Sequence, residues 1–212
     1  YSILSSSQNV VYNGGFEDGN TGFNSNLNYI TPYTITGGCG DYTITDNVKG
    51  FWMRYSHSST AYSGTNMMII DGGISPNSII WQQNVQVEPH TYYAFSAQVM
   101  SCLTSNSYGQ YALLQFSVNG TQLGPIFHSP SKLYNWTQYY QIWYSGDNTT
   151  ATLTILNQNN SGNGNDFAID EIRLDALDYS CEAVRQVTIN VKGQDTDSTG
   201  IASISAGDTY TR

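Results

Sequence analysis

A chain of 212 residues carrying a formal charge of −9, with only 11% of its residues charged, has room for one all-β domain of about 170–180 residues plus an appendage. It has no basic patch to release counterions from nucleic acid or to meet an anionic membrane, and no run of about 18 apolar residues to enter a bilayer. Its polarity comes from Asn, Ser, Thr, Gly, Gln and Tyr, which favours short strands and tight turns over helices, while aromatics at 13% are enough to fill a core.

In chain order, a polar lead-in from Ser2 to Ser7 precedes a short strand over Val10, Val11 and Tyr12, turned by Asn13-Gly14-Gly15 before Phe16-Glu17. Strands are predicted from Tyr29 to Thr36 and from Tyr42 to Val48, on either side of the glycine turn Gly37-Gly38-Cys39-Gly40. Phe51 to Tyr55 is a further apolar segment. Met67-Met68-Ile69-Ile70 reads as a buried strand that stops at Asp71-Gly72-Gly73. Ile79 to Val87 and Thr91 to Ser101 both alternate, the second with Tyr93, Phe95, Ala97 and Val99 inward and Tyr92, Ser96, Gln98 and Met100 outward. Gln110 to Asn119 follows, ending at Asn119-Gly120. A long strand opens at Trp136, with Tyr140, Ile142 and Tyr144 on one parity, and Thr150 to Leu156 comes next. About ten short strands with turn chemistry between them predict a two-sheet antiparallel jelly-roll sandwich. After Asp178 the texture changes: Val184 to Val191 alternates, Gly193 to Gly200 is a polar linker, and Ile201 to Arg212 has no closing element. Residues 1–178 are therefore expected to form the sandwich, and 179–212 a C-terminal strand and linker leading to a further module.

One stretch breaks the alternation. Phe167 and Ile169 share a parity, but Ile172 and Leu174 continue on the other, so the pattern slips at Asp170-Glu171 and predicts a β-bulge. Bulges re-aim side chains, and those re-aimed here are carboxylates in a chain sparing of charge. A hard cation is the natural partner of such an oxygen donor. The expected second ligand is Glu17, from the opposite end of the chain, so that Glu17 and Asp170 meet across one calcium ion.

The segments Tyr12 to Glu17, Met67 to Gly72, Ile79 to Gln83, Tyr93 to Ala97, Leu114 to Gly120, Trp136 and Asn165 to Ile172 resemble, in that order, the jelly-roll carbohydrate-binding modules of the galactose-binding-domain-like type. The version here looks most like modules of large secreted, gliding- or adhesion-associated surface proteins of Bacteroidota. The resemblance covers roughly residues 8–176. It implies a β-sandwich, a structural calcium held by Glu17 and Asp170 with backbone carbonyls completing the shell, and a glycan bound through aromatics in a groove or loop rim. Where many relatives carry an exposed aromatic after the Phe-Ser-Ala segment, this chain has Gln98.

For sugar binding the candidates are Trp52 and Tyr55, with Tyr29 and Tyr33 beside them in loop-rich segments. Gln98, Tyr111 and Gln115 are expected to line one outward sheet face, offering a ring and amides to hydroxyl groups. Trp81, Trp136 and Trp143 read as core. Tyr140, Ile142 and Tyr144 form an outward stripe apolar enough to be a protein contact. Catalysis is not expected: His57, His90 and His128 are scattered, and no HExxH or GxSxG occurs. A paired-carboxylate cleft of the glycosidase kind is likewise missing.

Cys39, Cys102 and Cys181 leave one thiol over if a bridge forms, and without a CxxC they do not spell a zinc site. Low Lys content and a Tyr/Asn/Thr-rich surface fit a secreted or cell-surface protein. The functional expectation is a non-catalytic module attaching an extracellular protein to a glycan or polysaccharide. The alternative is a structural subunit or stalk domain of a surface adhesin or filament, touching other copies or domains of its assembly.

Overall fold

The computed structural model describes residues 9–34, 37–51, 59–102, 111–131, 134–161 and 164–177, together with the strands Val187–Lys192 and Thr199–Ile204. The chain divides into two compact units, Tyr1–Leu177 and Asp178–Arg212.

The first unit is a sandwich of two sheets. Its strands are β1 (Asn28–Tyr29), β2 (Asp41–Thr45), β3 (Met67–Asp71), β4 (Ser78–Gln86), β5 (Tyr92–Ser101), β6 (Leu113–Val118), β7 (Thr121–His128), β8 (Trp136–Tyr144), β9 (Thr150–Asn157) and β10 (Asp166–Ala176). One sheet runs β1-β2-β3-β10-β5-β8 and the other β4-β9-β6-β7. Every ladder is antiparallel except the short β1–β2 pair. The described residues contain no α-helix, only a 3-10 turn at Val48–Gly50 capped by Asn47, and no helix long and apolar enough to cross a membrane.

Alternation explains the layering. The inward residues of β5 and β10, Tyr93, Phe95, Val99, Phe167, Ile169, Ile172 and Leu174, meet Trp81, Leu114, Phe116, Leu153 and Ile155 of the facing sheet in one core, because successive side chains of a strand point to opposite faces. Phe116 stacks between Phe95 and Tyr139, with ring centroids 4.0 Å apart in both pairs. The indole of Trp81 is fully buried; Trp143 packs against this core and Trp136 against a second cluster.

Four element predictions need correction. Val10 to Tyr12 is not a strand; it leads into a turn, since its hydrogen bonds go to side chains and to the end of β10. Of the predicted Tyr29 to Thr36 strand, Ile35 and Thr36 lie outside the described residues, and among the rest only Tyr29 is in a strand, β1, because Pro32 and Tyr33 lie in a turn. Between Asn119-Gly120 and Trp136, where the sequence reading places no element, Thr121–His128 forms β7. It is an edge strand with a register shift opposite Gln115, where the missing Pro125 N–H is not needed by a ladder. In the second unit, β11 (Val187–Lys192) pairs antiparallel with β12 (Thr199–Ile204), so the predicted linker ends in a strand that closes a hairpin.

Candidate functional site

The predicted bulge is present: the β10–β5 register shifts between Asp170 and Arg173, and Glu171 adopts a positive φ of 48°. Asp170 is consequently left on the outer face of the six-stranded sheet, fully buried. Its Oδ2 accepts the backbone N–H of Tyr62 at 2.8 Å and of Ser63 at 3.1 Å, and its Oδ1 accepts that of Glu171 at 2.7 Å. Glu17 reaches the same segment from the other end of the chain, its Oε1 accepting the N–H groups of Thr65 and Asn66, both at 2.8 Å. Glu171 adds a third carboxylate, accepting from the Ser63 hydroxyl at 2.5 Å.

The turn that carries Glu17 is docked on the bulge. Ile172 N–H donates to the Gly14 carbonyl at 2.9 Å, and a Cβ at Gly14 would lie 2.0 Å from the Ile172 oxygen, so only glycine permits the approach. Gly64 sits at φ +61° with Glu17 Oε1 2.5 Å from where its Cβ would stand. The two predicted carboxylates are thus brought together on one five-residue segment, 62–66.

Of the two acids, Asp170 is the one that would gain from a hard cation. Burial raises the Asp170 carboxyl to about 7 even though three N–H donors favour its charge, and among the described residues no Lys, Arg or His pairs with it. A divalent ion would relieve that penalty. The described residues hold no group of three or more His, Cys, Asp or Glu able to bind a metal, so further ligands would come from backbone carbonyls. The N–H groups already use three of the roughly four lone-pair sites of Asp170, so an ion there would share the carboxylate with the loop.

The rest of that outer face is laid out in cross-strand rows, with small side chains flanked by large ones. Across β8, β5 and β10 the register sets Gln138, Gln98 and Asp170 in one row, Tyr140, Ser96 and Arg173 in the next, and Ile142, Ala94 and Asp175 after that. The small Ala94 and Ser96 make the floor. Tyr140, Ile142 and Tyr144, exposed at 58%, 41% and 47%, make one wall. Arg173, chelated by Asp175 through 2.9 and 2.8 Å bonds and 3.6 Å from Glu171, makes the other. One end is closed by Tyr92 against Tyr144, centroids 4.7 Å apart. At the other, Tyr62 lies edge-on to Trp136 at 6.1 Å, and the Trp136 indole donates to the Thr60 carbonyl at 3.3 Å.

Other predicted positions are dispersed. Trp52 and Tyr55 lie outside the described residues. The expectation that Gln98, Tyr111 and Gln115 share one outward face does not hold. Gln98 belongs to the six-stranded sheet, whereas Gln115 is in the four-stranded one, only 2% exposed, with its amide donating to the carbonyls of Leu123 and Gly124 at 2.9 and 3.0 Å. The bulge in β7 orphans those carbonyls, and Gln115 satisfies them. Tyr111 precedes β6, half-buried, its carbonyl accepting from Asn159. Tyr29 and Tyr33 are exposed, the latter donating its hydroxyl to Asp46. Sequence reading missed Tyr62, Tyr92, Arg173 and Asp175. The outward parity of Tyr92 was legible, but its pairing with Tyr144 is a matter of register.

The class of protein these layers define is the jelly-roll β-sandwich. No family model matches the sequence, and no curated protein matches it either. Among solved structures, the chain is similar to the CBM22-1–CBM22-2 tandem domain of Paenibacillus barcinonensis Xyn10C, with a TM-score of 0.51 at 14% identity over 88% of this chain and 51% of that one. It is also similar to an arabinose-bound α-L-arabinofuranosidase, with a TM-score of 0.50 at 10% identity over 82% of this chain and 27% of that one. A module described as family 61, solved with β-1,4-galactotriose, aligns over 81% of this chain and all of its own, at a TM-score of 0.49 and 13% identity. At these identities the shared property is the fold.

Proposed function

We propose that this chain is a non-catalytic carbohydrate-binding module that attaches an extracellular or cell-surface protein to a glycan, and that the exposed rows on the outer face of its six-stranded sheet are where the glycan lies. The observation that carries this reading is the pairing of an exposed aromatic wall with an opposed Arg173/Asp175/Glu171 wall over a floor of small residues. Sugars present an apolar C–H face to rings and hydroxyl edges to charged and amide groups, and concave sites of mixed chemistry serve both. Gln98 and Gln138, paired in the next row, extend the hydrogen-bonding edge. The stripe expected to touch protein thus becomes the sugar platform.

Within this reading Glu17 and Asp170 hold a structural calcium, which supplies positive charge to a buried carboxylate and ties the two ends of the chain to segment 62–66. Such a clamp stabilises rather than catalyses. Treated as a cross-link between positions about 150 residues apart, its ceiling is about 4–5 kcal/mol.

A second reading has the same stripe meeting another copy or domain of a surface assembly. It is favoured by the continuous exposure of Tyr92, Tyr140, Ile142 and Tyr144, since contiguous apolar patches mark contact surfaces. A glycan array probed with the whole chain, run beside sedimentation at rising concentration, separates the two. Binding abolished by Tyr140→Ala supports the first. No glycan bound, together with assembly that Tyr140→Ala disrupts, replaces it with the second.

A further inference from the structure

Three aspartates stand in a row across three adjacent strands. Asp71 and Asp166 are direct cross-strand partners in the β3–β10 ladder, and Tyr42 opposite Ile70 sets Asp41 opposite Asp71 in the β2–β3 ladder. Since Tyr42, Ile70 and Phe167 belong to the core, alternation turns all three acids to the outer face. Like charges directly opposite one another destabilise a sheet.

Among the described residues no Lys, Arg or His pairs with any of the three. Asp41 accepts from the Gly38 N–H at 3.0 Å and from Asn28 at 3.4 Å. The Cys39 thiol donates to the Gly72 carbonyl at 3.4 Å. The thiols of Cys39 and Cys102 and the phenol of Tyr134 also face this group, each held above its ordinary range chiefly by burial, so all three stay neutral where carboxyls titrate. Burial likewise lifts Asp71 to about 6 and Asp166 to about 8, and each faces the other directly across the ladder. Two carboxylates are acceptors only, so a hydrogen bond between such neighbours requires a proton.

The pair sits where several turns are tied. Gly40 N–H donates to the Asp71 carbonyl and Cys102 N–H to the Asp166 carbonyl, both at 2.9 Å, while Gly72 N–H donates to the Asn165 carbonyl at 3.1 Å. We propose that Asp71 and Asp166 share one proton as an acid–carboxylate clamp across β3 and β10, and that its loss as pH rises loosens the turns at this end of the six-stranded sheet. The sign follows from which state holds the proton. Both carboxyls are raised above the unfolded value of about 3.9, so the native chain keeps protons that the unfolded chain has released. The stabilisation is whole below about pH 4 and falls as pH rises: the pair gives up its first proton near 6 and the shared one near 8, and the clamp goes with the second.

The test uses the whole chain with 13C-labelled aspartate carboxyls, titrated from about pH 3 to 9, the two resonances being assigned by their loss in Asp71→Asn and Asp166→Asn. Both are expected to titrate above about pH 5. Melts sharpen this: Asp71→Asn keeps a donor to Asp166 without a charge, so it is expected to melt roughly 2–8 °C above the parent at pH 8 and to flatten the fall between pH 5 and 8. Asp170 is retained throughout and cancels from the difference. Resonances that both titrate below about pH 5, or an Asp71→Asn variant destabilised equally at both pH values, would overturn the proposal. If the variants fail to fold, the parent decides by number: Asp71, Asp166 and Asp170 are each expected to titrate above about pH 5, and fewer than three such aspartate carboxyls would overturn the proposal.

Discussion

The outer face of the six-stranded sheet has two halves built on the same strands and treated differently. At one end Met67, Ile69, Met100 and Ala168 are covered by Val48, Phe51 and Cys102, with Ala61, Tyr134 and Trp136 packed at the rim. At the other, Tyr92, Tyr140, Ile142 and Tyr144 are bare. The covered half is apolar because it is a small second core. The bare half is nearly as apolar with nothing over it among the described residues, and the boundary falls at the row holding Asp170. That acid holds the covering segment by its N–H groups and marks where the cover stops. Among the described residues the roof ends at the row of Gln98 and Gln138 and leaves the remainder of the face exposed.

The comparison can be broken from either side. The largest loss of stability is expected from Asp170→Ala, which orphans the N–H groups of Tyr62, Ser63 and Glu171; about 3 kcal/mol, or roughly 6–12 °C in Tm, should appear in a thermal melt. Next comes removal of calcium. Adding a chelator to protein saturated with calcium at about 100 Kd is expected to cost about 2.7 kcal/mol, roughly 5–10 °C, and a melt indifferent to both chelator and added calcium would remove the ion from the site. Compared in chelator, so that the ion does not enter, Glu17→Gln should cost less, about 1 kcal/mol, since the N–H groups of Thr65 and Asn66 lie near the surface and can turn to water. Its loss should be seen first as faster amide exchange in segment 62–66.

At the small end, Tyr140→Ala and Tyr144→Ala are expected to change stability by no more than about 0.5 kcal/mol each, because these side chains leave the core untouched. The same variants should lower glycan affinity about 10-fold or more by calorimetry, as removal of a stacking ring does in sites that rely on one. A large fall in Tm instead would mean the bare half is structural after all.

How much of this was legible in the residues depends on whether the signal was local. The slip of parity between Ile169 and Ile172 announced the bulge, because alternation records which side of a strand meets the core, and an extra residue must shift it. The inward sets of β5 and β10 were readable for the same reason, as were the carboxylates to watch, Glu17 and Asp170, in a chain with few charges. The outward stripe of β8 was visible too, though not its use.

Relations between strands were not legible. Gln98 and Gln115 look equivalent along the chain, but sheet order puts one beside Tyr140's row and spends the other on the orphaned carbonyls of β7. Asp41, Asp71 and Asp166 are distant in sequence and ordinary one by one; only the register of β2, β3 and β10 makes them a row. Alternation along a strand is written into its own residues by burial. Which strand lies next to it, and at what offset, is decided by the packing of the whole sandwich, and it was there that the exposed rows, the roof beside them and the aspartate row arose.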